Sequence, residues 1–339
     1  MVDFSVPSGK TASLINNEVR TSLADSLSWL AKQNKITSLL HLPYDSWNAR
    51  PVDFGWYYDL LLSVHSNQPF NTGTYPYILK RLNDNFSPYA SQFMFFDKKN
   101  NRLKITTLRT PWFNSEEIDC IIRWLDMEPE NQMNLIALDD RELAQASENL
   151  HRALNVIETL LPDFMEEMIA ITSEIIFAKP SGNEKLTFGG ASSFLLWGAL
   201  ALNSEAHPYW WLYIPRLIHE YSHNLLFGIA RNEPLVLNDP SERYYSPLRQ
   251  ELRPIDGIYH AAFVSAREAL AMRKIISNSC EKKKESGFDW LDLYFKDTLA
   301  DSTLSFNDSL TVIRKHGRLS RLGSAILRDI EIAMNKSSI

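Results

Sequence analysis

The sequence predicts an α+β fold that is mostly helical. Apolar residues recur at helical spacing over long segments of the chain, above all at residues 18–32, 141–161 and 255–277. Two shorter apolar runs, at residues 174–179 and 193–201, have the length and composition of strands. The second of these runs is apolar enough to be buried on both faces of a sheet.

Taken in chain order, the remaining segments fit the same fold. Residues 41–58 and 69–91 are rich in proline, asparagine and aromatic residues, which predicts loops with one short helix near residues 77–82. Further helices are predicted at residues 115–127, 164–172, 288–295 and 305–335. Gly317 and Gly323 are possible breaks in the last of them.

The chain is longer than a single small domain. Its 339 residues exceed the usual size of a single domain, so we expect one large domain or two fused ones. Residues 1–150 are predicted to form a helical, loop-rich region, to which substrate recognition is assigned by elimination. Residues 151–339 are predicted to form a metal-binding catalytic domain with C-terminal helices.

Composition excludes several classes of protein. A net charge of −6 argues against a nucleic-acid binder, which would carry a basic face. Two cysteines in so long a chain indicate a reducing compartment. No basic-then-apolar signal pattern is present at the start, and no apolar run approaches the roughly 20 residues of a membrane-spanning helix. We therefore expect a cytoplasmic enzyme that binds no membrane; the sequence does not indicate its oligomeric state.

The most informative feature is the motif H-E-x-x-H at residues 219–223. Two residues four apart lie on one face of a helix, so the imidazoles of His219 and His223 can reach a single metal ion. Glu220 projects roughly a quarter turn away, where it can contact a water or substrate bound to that ion. The flanking residues are apolar, and unpaired histidine in a buried helix is costly. The motif therefore predicts a metal site, and imidazole suits both iron and zinc.

A third ligand has to come from elsewhere in the chain. The metzincin continuation requires glycine at Leu226 and histidine at Ile229, so that pattern is excluded. Two candidates follow downstream: His260, near the start of the helix predicted at residues 255–277, and Glu268 within it. His260 is preferred because of its ligand type, and Glu268 stays open as the alternative.

The segment around the motif resembles a known family. Residues 175–276 are similar to the HExxH domain found beside ribosomal peptide-modifying systems in bacteria, a family regarded as iron(II)- and 2-oxoglutarate-dependent peptide β-hydroxylases. The matching parts are the motif itself, the Tyr-Tyr-Ser-Pro turn at 244–247 with Arg249, the Arg253–Pro254 step, and Gly257 three residues before His260. The resemblance implies iron(II) and 2-oxoglutarate as cofactors and a ribosomally made precursor peptide as substrate.

The ligand set predicted from the residues suits that chemistry. Three neutral histidines on octahedral iron leave three positions, two for the keto acid and one for dioxygen. The far carboxylate of 2-oxoglutarate then needs a bidentate guanidinium. Arg249 and Arg253 lie between the two predicted metal-bearing helices, and Arg267 is a rival on the second helix. Surface ion pairs with neighbouring acidic residues are the alternative use of these arginines.

Two other functions remain open. A zinc-dependent metallopeptidase of the gluzincin type would use His219, His223 and Glu268 as ligands and Glu220 as the general base. Strands that lead into an HExxH helix are similar to zincin-type catalytic cores, in which an edge strand can hold an extended peptide. In an oxygenase, Glu220 would instead orient a ligand or substrate. The last possibility is a peptide-binding accessory protein with a vestigial metal site.

Overall fold

A computed structural model describes residues 5–33, 49–65, 94–97, 100, 102–126, 133–182, 189–246, 250–282 and 289–336. Within these ranges the protein is a mixed α+β structure with nine α-helices and two sheets, so the predicted fold class, α+β and mostly helical, is confirmed. None of the helices in these ranges is long and apolar enough to span a membrane.

The chain divides into two compact units. The sheet unit comprises residues 13–148 and 169–208, and the helical unit comprises residues 1–12, 149–168 and 209–339. One of the crossings between the units lies beside residue 150, the predicted boundary. Residues 169–208, however, group with the N-terminal part of the chain. The separation into a recognition region and a catalytic domain stays a prediction.

The sheet unit is built on a six-stranded sheet. Its strands are β1 (Met94–Phe96), β2 (Leu103–Thr107), β3 (Leu135–Ile136), β4 (Glu174–Pro180), β5 (Gly190–Ala191) and β6 (Ala199–Asn203). Along the sheet the order is β1-β2-β4-β6-β5, and β3 pairs with the other end of β4. Strands β2, β4 and β6 are parallel, and Ile175 is paired with Ile105 on one side and Leu200 on the other. These central residues are fully buried, which explains why the strands are continuous apolar runs.

The strand predicted at residues 193–201 is only partly correct. Ser193 caps a 3-10 turn, Phe194–Leu196, by accepting a hydrogen bond from the Leu195 backbone N–H. Gly198 then adopts a φ of +89°, which an L side chain rarely takes, and β6 begins at the next residue. A local cap and one glycine therefore delay the strand, although the run is apolar throughout.

Four of the helices predicted before residue 173 are confirmed. They are α1 (Gly9–Gln33), α3 (Ser115–Leu125), α4 (Asp140–Leu160) and α5 (Pro162–Ile171). Helix α3 starts with a capping box, in which Asn114 and Glu117 exchange side-chain-to-backbone hydrogen bonds. Such a cap is encoded locally, so this helix start is readable from the sequence. Helix α1, by contrast, begins nine residues before the predicted start at residue 18.

The loop predicted at residues 41–58 is wrong over its last part. Helix α2 (Pro51–His65) begins there with proline in its first turn, and the Asp53 carboxylate accepts a hydrogen bond from the Arg50 N–H at 2.6 Å. Arg50 also forms buried ion pairs with Glu117 and Glu174, which join this helix start to α3 and β4. Residues 34–48 and the predicted loop at 69–91 lie outside the described residues.

The helical unit contains the motif. Helix α6 (Tyr213–Ala230) carries it, and α7 (Ile255–Lys282) packs against α6. A hairpin of β7 (Tyr244–Ser246) and β8 (Glu251–Arg253) lies between them in the chain. Helices α8 (Asp289–His316) and α9 (Arg321–Lys336) follow, so the predicted break at Gly317 is confirmed.

Gly323 lies inside α9 and does not break the helix, which corrects the sequence prediction. A Cβ at this position would lie 2.2 Å from the backbone oxygen of Leu235, and the Gly323 carbonyl accepts a hydrogen bond from the Tyr259 hydroxyl at 2.7 Å. The glycine is needed because two segments of backbone approach closely.

Replacing Gly323 with alanine is therefore expected to destabilise the helical unit. The new methyl group has to displace backbone atoms, and overpacking of this kind costs roughly 1–3 kcal/mol. Urea-induced unfolding of the full chain measures the change. Ser324→Ala, one residue further at an exposed position, is the matched control and is expected to change stability by less than about 0.5 kcal/mol. Equal stability of the two variants would contradict the close approach of Gly323 to the backbone of Leu235.

Candidate metal centre

Helix α6 is buried except along one stripe. Before its last residue, the partly exposed positions are Arg216, His219, His223 and Phe227. Their spacing of three, four and four residues places them on one face of the helix. We call these four residues the accessible stripe. Both motif histidines therefore lie where a buried helix is open to a ligand.

Helix α7 brings the two candidate third ligands to this stripe. The Nδ1 atom of His219 lies 3.2 Å from an Oε2 oxygen of Glu268. The Nδ1 atom of His223 lies 3.1 Å from the Nδ1 atom of His260. His219, the first motif histidine, thus contacts Glu268, the second candidate on α7. Helices α6 and α7 therefore run in opposite directions across the site.

The histidine rings form a continuous group. The His223 ring lies between the other two, with centroids 5.0 Å from His219 and 5.4 Å from His260. The Phe227 ring covers His260 at a centroid distance of 4.7 Å. Burial lowers the pKa of His260 below its usual value, and the charge of Asp256 opposes this only in part. His260 is therefore neutral at pH 7, the form that a metal ligand needs.

The donor atoms fit a metal ion chemically and are arranged as two pairs. Neighbouring donors around an ion bound at about 2.1 Å lie roughly 3.0 Å apart in octahedral and roughly 3.4 Å apart in tetrahedral geometry, and the separations of both pairs, 3.2 and 3.1 Å, fall between these values. Within the described ranges, however, no group of three histidine, cysteine, aspartate or glutamate side chains is assembled to hold an ion. Imidazole nitrogen and carboxylate oxygen both bind iron(II) and zinc. The residues therefore fit such an ion by their donor types, and they are arranged as two pairs of ligands.

The motif glutamate lies on the buried side of the stripe. The side chain of Glu220 is 4% exposed, and its Oε1 atom lies 3.3 Å from the Nη1 atom of Arg216, one turn earlier in the helix. This ion pair fixes the direction of the carboxylate beside His219. The pair also neutralises a charge that would be costly in a buried helix.

The three arginines considered from the sequence have different surroundings. Arg253 forms an ion pair with Glu251 at 2.6 Å, as in the surface alternative, and it has further interactions. Arg249 lies outside the described residues. Arg267 is fully buried and forms an ion pair with Glu167. Arg267 is therefore held inside the helical unit and does not face the accessible stripe.

The buried network around Arg267 also explains the two inner residues of the motif. Arg267 donates hydrogen bonds to the Ser222 hydroxyl at 3.0 Å and to the Tyr221 hydroxyl at 2.8 Å. Tyr221 in turn donates to Glu167 at 3.1 Å. Burial raises the pKa of Tyr221 well above its usual value, so the hydroxyl keeps its proton. The Tyr221–Ser222 pair therefore joins α6 to α7 behind the histidines.

Three residues near the site were not predicted from the sequence. Arg216 and Phe227 belong to the accessible stripe, and their helical spacing from His219 and His223 is a signal that could have identified them. Tyr294, on α8, lies close enough to Glu268 and Arg216 for their charges to act on its hydroxyl. Tyr294 comes near these residues only because α8 packs against α7, and no local sequence pattern predicts that packing.

Comparisons with models of protein families and with curated proteins find no match to this chain.

Proposed function

We propose that this chain is an iron(II)- and 2-oxoglutarate-dependent oxygenase that hydroxylates a side-chain β-carbon in a ribosomally made peptide. The observation that carries the proposal is the gathering of His219, His223 and His260 where the accessible stripe of α6 meets α7. The peptide substrate rests on the resemblance of residues 175–276.

The roles of the residues follow from their contacts. His219, His223 and His260 would hold the metal ion. Glu268 accepts a hydrogen bond from the Nδ1–H of His219 in this interpretation, which leaves the other ring nitrogen of His219 for the metal. Glu220, fixed by Arg216, orients a ligand or substrate beside the ion. Arg249 and Arg253 remain candidates for the distal carboxylate of 2-oxoglutarate.

The cofactors supply the oxidation. When bound, iron(II) and 2-oxoglutarate direct one oxygen atom of O2 into the new hydroxyl group and the other into succinate, with release of CO2. The protein contributes the position of the peptide and the exclusion of water. A zincin-like core is part of the proposal, supported by the chain order in which β6 is followed by the motif helix after residues 204–212.

The second candidate function is a zinc-dependent metallopeptidase of the gluzincin type. The contact between His219 and Glu268 favours it, because both atoms could bind one zinc ion together with His223. Glu220 would then act as the general base toward a zinc-bound water. The two functions differ in the metal and in the need for a keto acid, so a binding measurement separates them.

Anaerobic titration of metal-free protein with iron(II), with and without 2-oxoglutarate, tests the proposal. We expect a weak visible charge-transfer band only when both are present, because the keto acid then chelates the iron through two oxygen atoms. The His223→Ala variant is the control and is expected to show no band. Absence of the band in the unaltered protein, together with stoichiometric binding of zinc, would replace the oxygenase by the peptidase.

A further inference from the structure

Arg216 lies beside the candidate metal centre on the accessible stripe. It precedes His219 by three residues and Glu220 by four, the two spacings at which side chains on a helix are neighbours. Its side chain is 34% exposed, whereas most residues of α6 are buried. The guanidinium is therefore adjacent to the site, and part of this side chain is open to a ligand, although its Nε atom is buried.

One edge of this guanidinium is left for a ligand. Nη1 is used by Glu220. The Nε atom is buried and has no hydrogen-bond partner among the residues that the structure describes. Nε–H and one Nη2–H point the same way, and this edge of an arginine binds both oxygens of a carboxylate. A buried donor without an acceptor is costly, and a bound carboxylate would remove that cost.

Helix α8 carries a second polar group, Tyr294, on which the charges of Glu268 and Arg216 act. The Tyr294 side chain is half-buried, and burial raises the pKa of its hydroxyl. A hydrogen bond with Thr298 lowers this pKa, Glu268 raises it, and Arg216 lowers it. The phenol thus remains protonated at neutral pH, the form that can donate a hydrogen bond to an anion.

We propose that Arg216 forms a carboxylate-binding subsite at the end of the candidate metal centre. The inference deepens the proposed function and rests on it for the identity of the ligand: the carboxylate is the distal one of 2-oxoglutarate. The same chemistry would also accept a carboxylate of the peptide substrate. In this inference Arg216 replaces Arg249 and Arg253, which the sequence had suggested and the proposed function keeps as candidates, as the residue that binds the distal carboxylate.

The test compares two keto acids on anaerobic, iron(II)-loaded full-length protein. 2-Oxoglutarate and 2-oxopentanoate share the chelating end and the chain length, but the second has a methyl group in place of the distal carboxylate. Dissociation constants are measured by the visible band for the unaltered protein and for Arg216→Gln and Arg216→Lys. Arg231→Gln is the matched control, since Arg231 caps the far end of the same helix, roughly 22 Å along its axis.

We expect Arg216→Gln to weaken 2-oxoglutarate binding by about 10- to 100-fold, the usual loss for a charge-assisted bidentate pair. Arg216→Lys should restore little of it, because an ammonium group cannot make the paired contact. Binding of 2-oxopentanoate should be weak in the unaltered protein and unchanged in either variant. The Arg231→Gln control should bind 2-oxoglutarate normally, and all variants should bind one equivalent of iron.

A second arm uses acetyl-alanyl-alanine with a free carboxylate and its amide, titrated by calorimetry into zinc-loaded protein. If only the free acid binds, and Arg216→Gln removes this binding while the keto acids are unaffected, the subsite exists and serves the peptide. If Arg216→Gln changes neither arm, the inference is overturned, whether or not the iron band forms. If no keto acid gives a band in the unaltered protein, the proposed function fails, and the dipeptide arm alone decides the subsite.

Discussion

The His260→Ala variant is expected to lose more than about 100-fold in affinity for iron(II), and metal-dependent activity with it. Loss of a residue that only orients a ligand costs 10- to 100-fold, so removal of a ligand should cost more. His260 contacts His223 at 3.1 Å and is neutral because it is buried, so the substitution removes a donor already in place. Iron(II) affinity is measured anaerobically by competition with a chromogenic chelator.

The matched variant is Glu268→Gln on the same helix. In the oxygenase it orients His219, and its loss should weaken iron binding by about 10- to 100-fold while leaving a charge-transfer band at saturating metal. In the peptidase the order reverses, with Glu268→Gln losing zinc and His260→Ala retaining it. The ranking of these two variants therefore separates the two functions without knowledge of the substrate.

The Arg267→Met variant is expected to lose about 3–5 kcal/mol of stability in the helical unit. It removes one partner of a buried ion pair and leaves the Glu167 carboxylate uncompensated in the interior. Hydrogen bonds to Tyr221 and Ser222 are lost at the same time. Hydrogen exchange measured on peptides of α6 and α7 reports the opening free energy of this region separately from the rest of the chain.

Lys274→Ala supplies a matched control, because Lys274 is also on α7 and also pairs with an acid of α5. That pair, with Asp163 at 2.7 Å, is largely exposed, so its loss should cost less than about 1 kcal/mol. The double variant Arg267→Met, Glu167→Gln should be less destabilised than the sum of its single changes, since no unpaired charge stays buried. Equal costs for Arg267→Met and Lys274→Ala would show that the network does not join the helices.

Local sequence patterns predicted much of the helical structure. The break at Gly317 was predicted in this way. The capping box at Asn114 and Glu117 and the proline that starts α5 were not named from the sequence, although each acts within a few residues and is visible there. The strand start at Ala199 and the course of α9 through Gly323 were misjudged. The start of β6 depends on the Ser193 cap and on the left-handed φ of Gly198. In α9 the glycine is required by a distant segment of backbone at Leu235, which a local window of sequence does not show.

For the candidate site as well, the sequence predicted some features, and the tertiary structure revealed others. The sequence predicted that His219 and His223 share a helix face, because a four-residue spacing fixes their relative direction. It preferred His260 to Glu268 as the third ligand, and the structure brings both to the motif, one against each histidine. It also offered Arg267 as a cosubstrate ligand, whereas the structure buries that side chain behind the motif.

The α+β, mostly helical fold class and the shared helix face of His219 and His223 follow from the sequence alone, since both rest on periodicities of a few residues. Which face of α6 is open to a ligand, and that Arg216 belongs to that face, becomes clear only once the helices have packed. Helical spacing defines directions within one element, whereas exposure and the meeting of side chains depend on which helices pack against one another.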